Sequence, residues 1–365
     1  RTNRYNPMRI VPTNCLRSGM RLGKDVYGSS GELYLRCNTI LTQGYINRLK
    51  SLGFNGVYIE DDISEGIEYI DIVDQKLRLK TVEKVKDLYM QVAAAGKSTN
   101  TDWTSLDVLL NGILDEMLDK NTLVYDMMDL KQFDDYTFYH CVNTAFLCIA
   151  TGLQMNLGRK KLYDLALGAI LHDIGKVYIP LAIINKPGVL TDQEFETMKT
   201  HSMHGFRYLK ETQKVSGEAC LGVLLHHERY DGNGYPFREV GSNINYIGKI
   251  IAISDVYDAI TSDRPYRAAW RANEAVEYIM GNSGLRFDPE VTAAFLKKIV
   301  PYPQGTVVRL SNGAQAIVVE NDSNFILRPK VRVFKVDNQN VPPYIIDMKG
   351  DRDYLDVTIQ DAINI

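Results

Sequence analysis

Up to about residue 74 the chain alternates short apolar runs with turn residues. Asp25-Val26-Tyr27 leads into Gly28-Ser29-Ser30-Gly31 and then Leu33-Tyr34-Leu35, which predicts a hairpin. Tyr45 to Leu52 has helical spacing and is stopped by Gly53, ahead of Val57-Tyr58-Ile59 as another strand. A charged helical stretch over 75–95 then reaches the polar break Gly96-Lys97-Ser98-Thr99-Asn100. From Thr101 to about Val300 the period changes, with Leu106, Leu109, Leu110, Ile113, Leu114 and Met117 recurring at three- and four-residue steps. Similar runs cover 134–154, 159–172, 192–210, 216–228, 244–261 and 271–281. Pro301 and Pro303 close this region. Beyond them, Val307 to Leu310, Ser311-Asn312-Gly313 and Ala316 to Glu320 predict a hairpin with a tight type I′ turn at Asn-Gly. Val331 to Val336 and Tyr344 to Met348 continue the β pattern.

The expected architecture is therefore mainly α: an all-α helical bundle flanked by a small N-terminal α+β module and a small C-terminal β module. The expected boundaries are 1–100 for the first module with its connecting helix, 101–300 for the bundle and 301–365 for the last module. A chain of 365 residues is long enough for two or three such units.

Composition narrows the function classes. With 45% hydrophobic and 24% charged residues the chain is an ordinary globular one. A net charge of -3 argues against a general DNA or RNA binder, so any anionic ligand has to meet a local cluster of cations. The five cysteines, Cys15, Cys37, Cys141, Cys148 and Cys220, form no C-x-x-C pair and fit reduced thiols, with Cys141 and Cys148 packing in a helical core. No stretch approaches the ~20 apolar residues of a membrane span, and no signal peptide opens the chain, so a cytoplasmic location without membrane partners is expected.

All six histidines fall in the helical region. His172-Asp173 ends the apolar run Leu165 to Leu171; His201 follows 28 residues after Asp173, His226-His227 25 after His201, and Asp255 28 after His227. Such spacing delivers about one side chain per helix or helix pair, which a bundle can aim at a common centre. A lone histidine is more often a hydrogen-bonded core residue; His-Asp and His-His pairs together favour ligands. Imidazole with carboxylate and no thiolate suits Fe, Mn, Co, Ni or Zn in a non-structural site. The two oxygens of Asp173 suit it to bridge a pair of ions ~3.5–4 Å apart, which would acidify a bridging water for phosphoryl displacement.

The blocks His172-Asp173-Ile174-Gly175-Lys176, Lys199-Thr200-His201, His226-His227-Glu228-Arg229-Tyr230-Asp231-Gly232-Asn233-Gly234-Tyr235-Pro236 and Asp255 to Arg267 resemble the HD-GYP branch of the HD phosphohydrolase superfamily, in family order, from about Asp134 to Pro289. The resemblance implies an HD-type catalytic bundle with two divalent transition-metal ions, Fe or Mn first and Zn, Co or Ni as alternatives. It implies that His140, His172, Asp173 and Asp255 hold one ion and that Asp173, His201, His226 and His227 serve the other. It further implies that Lys176, Arg264 and Arg267 contact substrate phosphates, with Asp134 and Asp258 as supporting polar contacts. Lysine offers a point charge and arginine a forked donor for such oxygens. Gly232, Gly234 and Pro236 give the eponymous loop a fixed shape and contacts to substrate or partner proteins; Glu228 is read as structural.

The implied activity is hydrolysis of cyclic di-GMP to linear pGpG, and on to GMP by a slower second cut, by a metal-bridging hydroxide. Asp173 and Lys176 carry the catalysis. The alternatives are another cyclic dinucleotide such as cyclic GMP-AMP, or a catalytically silent sensor or adaptor. A homodimer is left open. One departure bears on metal number. Some family members carry a glutamate four residues before the first ligand histidine, which helps bind a third ion; here that position is Tyr136, a neutral phenol, so two ions are expected. His204 is read as a packing or surface histidine.

Overall fold

The computed structural model describes residues 7–28, 32–54, 56–67, 73–95, 102–119, 136–262 and 269–363. Asp134, Arg264 and Arg267 lie outside the described residues, as does the side chain of Tyr136.

The N-terminal module contains β1 (Arg9–Pro12), β2 (Arg21–Leu22), β3 (Val26–Tyr27), β4 (Leu33–Leu35), α1 (Gln43–Ser51) and β5 (Gly56–Glu60). β3 and β4 pair antiparallel with Val26 opposite Leu35, the expected hairpin partners, and a three-stranded sheet runs in the order β1-β5-β2. Helix α1 begins at Thr42, whose hydroxyl accepts from the Tyr45 amide, so an otherwise orphaned donor is satisfied. Val11, Leu22, Leu41, Ile46, Val57 and Ile59 form its core.

The helical region comprises α2 (Gln75–Ala95), α3 (Trp103–Asp119), α4 (Tyr136–Gln154), α5 (Arg159–Leu171), the short α6 (Leu181–Ile184), α7 (Asp192–Lys199), α8 (His201–Thr212), α9 (Gly217–Leu225), α10 (Tyr246–Thr261), α11 (Ala272–Gly281) and α12 (Pro289–Leu296). Every residue of α5 from Asp164 to Leu171 is buried, and α10 is buried almost all round. A helix apolar on every side must sit at the centre of its bundle. Helix α2 is more than a connector: Val82, Val85, Leu88 and Val92 join the same core as α4, α5, α9 and α10.

The apolar run over 192–210 is divided. Thr200 separates α7 from α8, and its amide reaches back to the Thr197 carbonyl. Helix α7 starts with a capping box between Thr191 and Glu194. The break makes His201 the first residue of α8.

The C-terminal module is a five-stranded antiparallel sheet in the order β10-β6-β7-β8-β9, formed by β6 (Val307–Leu310), β7 (Gln315–Glu320), β8 (Lys330–Val336), β9 (Gln339–Asp347) and β10 (Ile359–Ala362). The turn at Asn312-Gly313 differs from the expected type I′. Gly313 has φ of +85° and Asn312 has no positive φ, while the Gly313 amide donates to Leu310 O and the Leu310 amide to Ala314 O. That is a three-residue connection closing on a left-handed glycine. The type I′ signature instead falls between β8 and β9, where Asp337 and Asn338 have φ of 49° and 61°. The two end modules also meet: Arg332 donates to Ile63 O (2.6 Å) and Glu65 O (2.7 Å), and Ile67 packs with Val307 and Ile317.

All five cysteines are free thiols, with Cys141, Cys148 and Cys220 buried. Among the described residues, no helix is long and apolar enough to cross a membrane.

Candidate metal centre

Five helices deliver seven side chains to one interior point. His140 comes from α4, His172 and Asp173 from the end of α5, His201 from the start of α8, His226 and His227 from the end of α9, and Asp255 from α10. His140, His172 and Asp255 place one donor atom each within 4.8 Å of one another, as do His201, His226 and His227. Asp173 stands between the two groups: Oδ2 lies 3.3 Å from His172 Nε2, and Oδ1 lies 3.6 Å from His201 Nε2. His140 Nε2 is 3.1 Å from Asp255 Oδ1.

The backbone fixes which imidazole nitrogens face this point. Nδ1 of His172 donates to Ala169 O (2.7 Å), Nδ1 of His201 to Met198 O (2.7 Å) and Nδ1 of His226 to Val223 O (2.8 Å). A carbonyl only accepts, so these rings carry their proton on Nδ1 and turn an Nε2 lone pair inward. The acceptor is in each case three residues upstream, where the end of a helix leaves carbonyls unused. His140 Nδ1 is held instead by Asp258 Oδ2 at 2.6 Å.

Charge follows from burial. Burial drives the His201 pKa down to about 4 against the pull of Asp173, that of His227 to about 3, and that of His226 well below the ordinary range. These rings are neutral donors at pH 7. Burial also opposes charge on His140, but its hydrogen bonds to Asp255 and Asp258 prevail and raise its pKa to about 9. Asp173 and Asp255 stay ionised: burial works against them and is outweighed by Lys176 and His172 for Asp173 and by His140 for Asp255.

The donor set fits divalent transition-metal ions. Two Nε2 lone pairs, of His201 and His226, face each other at 3.3 Å with no proton to share. His172 Nε2 and Asp173 Oδ1 are buried without a hydrogen-bond partner. Buried acceptors with no donor are costly, and a cation satisfies all of them together. Nitrogen and carboxylate oxygen without thiolate is the chemistry of Fe, Mn, Co, Ni or Zn.

Backbone contact holds the halves in register. A Cβ on Gly175 would lie 1.9 Å from His201 O and 2.5 Å from Gly205 N, so the turn after Asp173 can meet α8 only with a bare backbone there. A Cβ on Gly234 would likewise lie 2.4 Å from the Arg229 amide nitrogen. Glu228 fixes the loop by accepting from the Phe237 (2.7 Å) and Glu239 (3.0 Å) amides. Tyr235 stacks on His227 with ring centroids 4.6 Å apart.

Lys176 sits at the rim, its side chain 36% exposed and its ammonium 2.5 Å from Asp173 Oδ2. Asp258 is placed otherwise than as a substrate contact. It is 0% exposed and lies behind His140, bonded also to Asn143 Nδ2 at 3.2 Å. Its spacing of three from Asp255 puts both carboxylates on one helical face, but one on each side of the His140 ring. Sequence reading also passed over Asn143, one turn beyond His140 on α4; that spacing was the available signal. His204 lies apart from the cluster and packs on Tyr178 at 5.7 Å.

An all-α bundle with its interior lined by imidazoles and carboxylates at these positions is a helical metal-binding domain of the HD type. Residues 123–291 match the family model described as HD domain. The chain is 36% identical over 280 residues to the cyclic di-GMP phosphodiesterase PA4108 of Pseudomonas aeruginosa, covering 77% of this chain and 66% of the relative. It is 39% identical over 145 residues to the cyclic di-GMP phosphodiesterase response regulator RpfG of Xanthomonas campestris, covering 40% and 38%. It is 26% identical over 290 residues to 3′3′-cGAMP-specific phosphodiesterase 2 of Vibrio cholerae, covering 79% and 53%. The matches thus span between about four-tenths and two-thirds of these relatives' own lengths. Residues 123–291 thus form an HD domain, and the similarity to PA4108 extends over 77% of the chain.

Proposed function

We propose that this chain is a cytoplasmic, metal-dependent phosphodiesterase that opens cyclic di-GMP to linear pGpG, with a slower second cut to GMP. The observation that carries this reading is the inward convergence of buried, unprotonated Nε2 atoms on the two oxygens of Asp173. His140, His172, Asp173 and Asp255 would hold one ion and Asp173, His201, His226 and His227 the other, with Fe or Mn as the ions. When bound, the ions supply an acidified water and positive charge for hydrolysis of a phosphodiester.

The chain's own residues do the rest. The carbonyls of Ala169, Met198 and Val223 hold three rings in one tautomer. Lys176, at the rim, presents a mobile point charge to a phosphate oxygen and shields the charge that builds there. Arg264 and Arg267 are assigned the remaining phosphate oxygens, and Asp134 a polar contact to the substrate. In the same proposal 101–300 is the catalytic unit, with the modules 1–100 and 301–365 at its ends and α2 packed against it as the connection.

The test joins elemental analysis of the purified protein with chromatography of its products from cyclic di-GMP. About two transition-metal ions per chain and a pGpG product support the reading; a metal-replete protein that leaves the dinucleotide intact overturns it. The similarity to the cGAMP-specific Vibrio protein over 79% of this chain favours one further substrate, 3′3′-cGAMP, to be assayed beside it.

A further inference from the structure

A buried chain of polar contacts leads out of the metal centre to a residue that no motif contains. Behind His140, Nδ1 meets Asp258 Oδ2 at 2.6 Å; Asp258 Oδ1 accepts from Asn143 Nδ2 at 3.2 Å; and Asn143 Oδ1 accepts from an Arg78 guanidinium nitrogen at 2.7 Å. Asn143 and Asp258 are fully buried, and Arg78 is only 7% exposed, with its guanidinium over the Phe146 ring at 5.6 Å. A guanidinium inside a helical core is costly unless it serves carboxylate or amide partners, and here one of its nitrogens donates to Asn143, which donates on to Asp258.

Arg78 lies in the first turn of α2, immediately after the N-terminal module. The Asp74 carboxylate accepts from the Lys76 (2.9 Å) and Leu77 (3.1 Å) amides and so starts that helix. One helical stretch further along, the Tyr89 hydroxyl donates to Ile170 O at 3.1 Å, two residues before His172. Helix α2 therefore reaches the surroundings of two histidines of the same donor group, His140 and His172.

We propose that Arg78 is a positioning residue for the metal centre, acting through Asn143 and Asp258 on the ring of His140, so that the first turn after the N-terminal module sets the geometry of one metal position. Asn143 restrains the other oxygen of Asp258, beside the Ser262 hydroxyl 3.4 Å from Oδ2, and so helps it hold His140 Nδ1. Asn143 in turn keeps its amide oriented because Arg78 occupies its oxygen: a guanidinium only donates, so the Asn143 oxygen must face it and the amide nitrogen must face Asp258. Loss of Arg78 removes this donor from the Asn143 oxygen, so the amide is held less firmly against Asp258 and the His140 ring loses part of its restraint. The proposal rests on His140 being a metal ligand.

The experiment is a Mn(II) titration of the metal-stripped full chain, read by calorimetry, for wild type, Arg78→Met, Asp258→Asn and the double variant, with circular dichroism to confirm folding. Two binding steps are expected for wild type. In Arg78→Met one step weakens by about tenfold, the scale of outer partners of metal ligands, while the other is unchanged. Adding Arg78→Met to Asp258→Asn should produce no further loss, because both act through one contact. Arg78→Lys, which keeps a donor and a charge, should recover part of the affinity. If Arg78→Met does not fold, Asn143→Ala breaks the same chain with no buried charge removed and is carried through the same cycle. Unchanged Mn(II) affinity in a folded variant, or losses that add in the double variant, overturns the proposal. A wild-type chain that binds no metal would instead sink the metal-centre reading itself.

Discussion

The Nε2 atoms of His201 and His226 lie 3.3 Å apart while both Nδ1 atoms are committed to backbone carbonyls. Two lone pairs at that separation repel, and the fold keeps them there because each ring is locked at a helix terminus. Asp173 has a free oxygen 3.6 Å away from the first of them. This unfavourable cluster is maintained by the surrounding core, and it is relieved by positive charge.

Asp173→Ala should therefore strip metal and abolish turnover while leaving the helical content intact, since the residue contributes donors to both groups and little packing. Elemental analysis and circular dichroism of the purified variant check this. Full metal occupancy in the variant would remove Asp173 from its bridging position.

Lys176→Ala should behave in the opposite way. Its ammonium touches a ligand carboxylate but donates nothing to a metal, so the variant should keep its ions and lose about 100-fold in kcat/KM. Steady-state kinetics on cyclic di-GMP at matched metal content decide it; a wild-type kcat/KM would place the phosphate elsewhere.

Gly175→Ala should be the most disruptive small substitution in the domain. The added carbon would meet His201 O at 1.9 Å and Gly205 N at 2.5 Å, both backbone atoms that move only with their helix. Overpacking of this kind costs about 1–3 kcal/mol, and here it also drives Asp173 away from His201. A lowered Tm together with reduced metal content is expected; a variant with wild-type values of both would contradict the close approach.

The metal-stripped protein should be most stable near pH 6.5. His140 has its pKa raised to about 9, so its contribution is complete below the ordinary value of 6.5 and is lost as pH climbs through 9. His201 and His227, lowered to about 4 and about 3, act with the other sign. Below pH 6.5 the unfolded chain takes protons that their folded forms refuse, so stability drains as pH falls towards those values. Thermal melts in EDTA across this range test it. A His140→Gln variant should lose the alkaline limb alone, and an identical limb in that variant would show that His140 is not its source.

Metal number follows from charge. Five imidazoles and two carboxylates carry about -2 in formal charge, enough to offset part of two divalent ions and leave the rest for substrate phosphates. A third ion in this buried setting would need another anionic donor, and position 136 holds a tyrosine. About two transition-metal ions per chain are expected by elemental analysis, and Tyr136→Glu should raise that number. Three well-occupied ions in the wild-type protein would show that a donor has been overlooked.

Much of this was legible from residue order alone. Periodicity located α3, α5, α9 and α10 because each has a continuous apolar face, and the β3–β4 hairpin followed from Val26-Tyr27 and Leu33-Tyr34-Leu35 on either side of a glycine-serine turn. Spacing pointed to His172, Asp173, His201, His226, His227 and Asp255 as candidate donors, and the family resemblance added His140. The break at Thr200 was not legible: the run over 192–210 keeps its period through a change of axis. The turn at Asn312-Gly313 was misread because Asn-Gly suits several left-handed geometries, and the strand register selects among them.

The sequence by itself determined the helical region, the two end modules and most of the candidate donors, since these depend on local period and side-chain chemistry. Only the tertiary structure decided what each donor does. Whether Asp258 faces a ligand or a substrate depends on which side of the His140 ring it occupies, and that is set by the packing of α10 against α4. Likewise Arg78 reads as one more charge on an exposed helix until α2 is laid on the core, where burial forces its guanidinium to find Asn143. Spacing along a chain fixes which residues share a helical face; direction across a core, and therefore hydrogen-bond partner and charge state, exists only once the helices are packed.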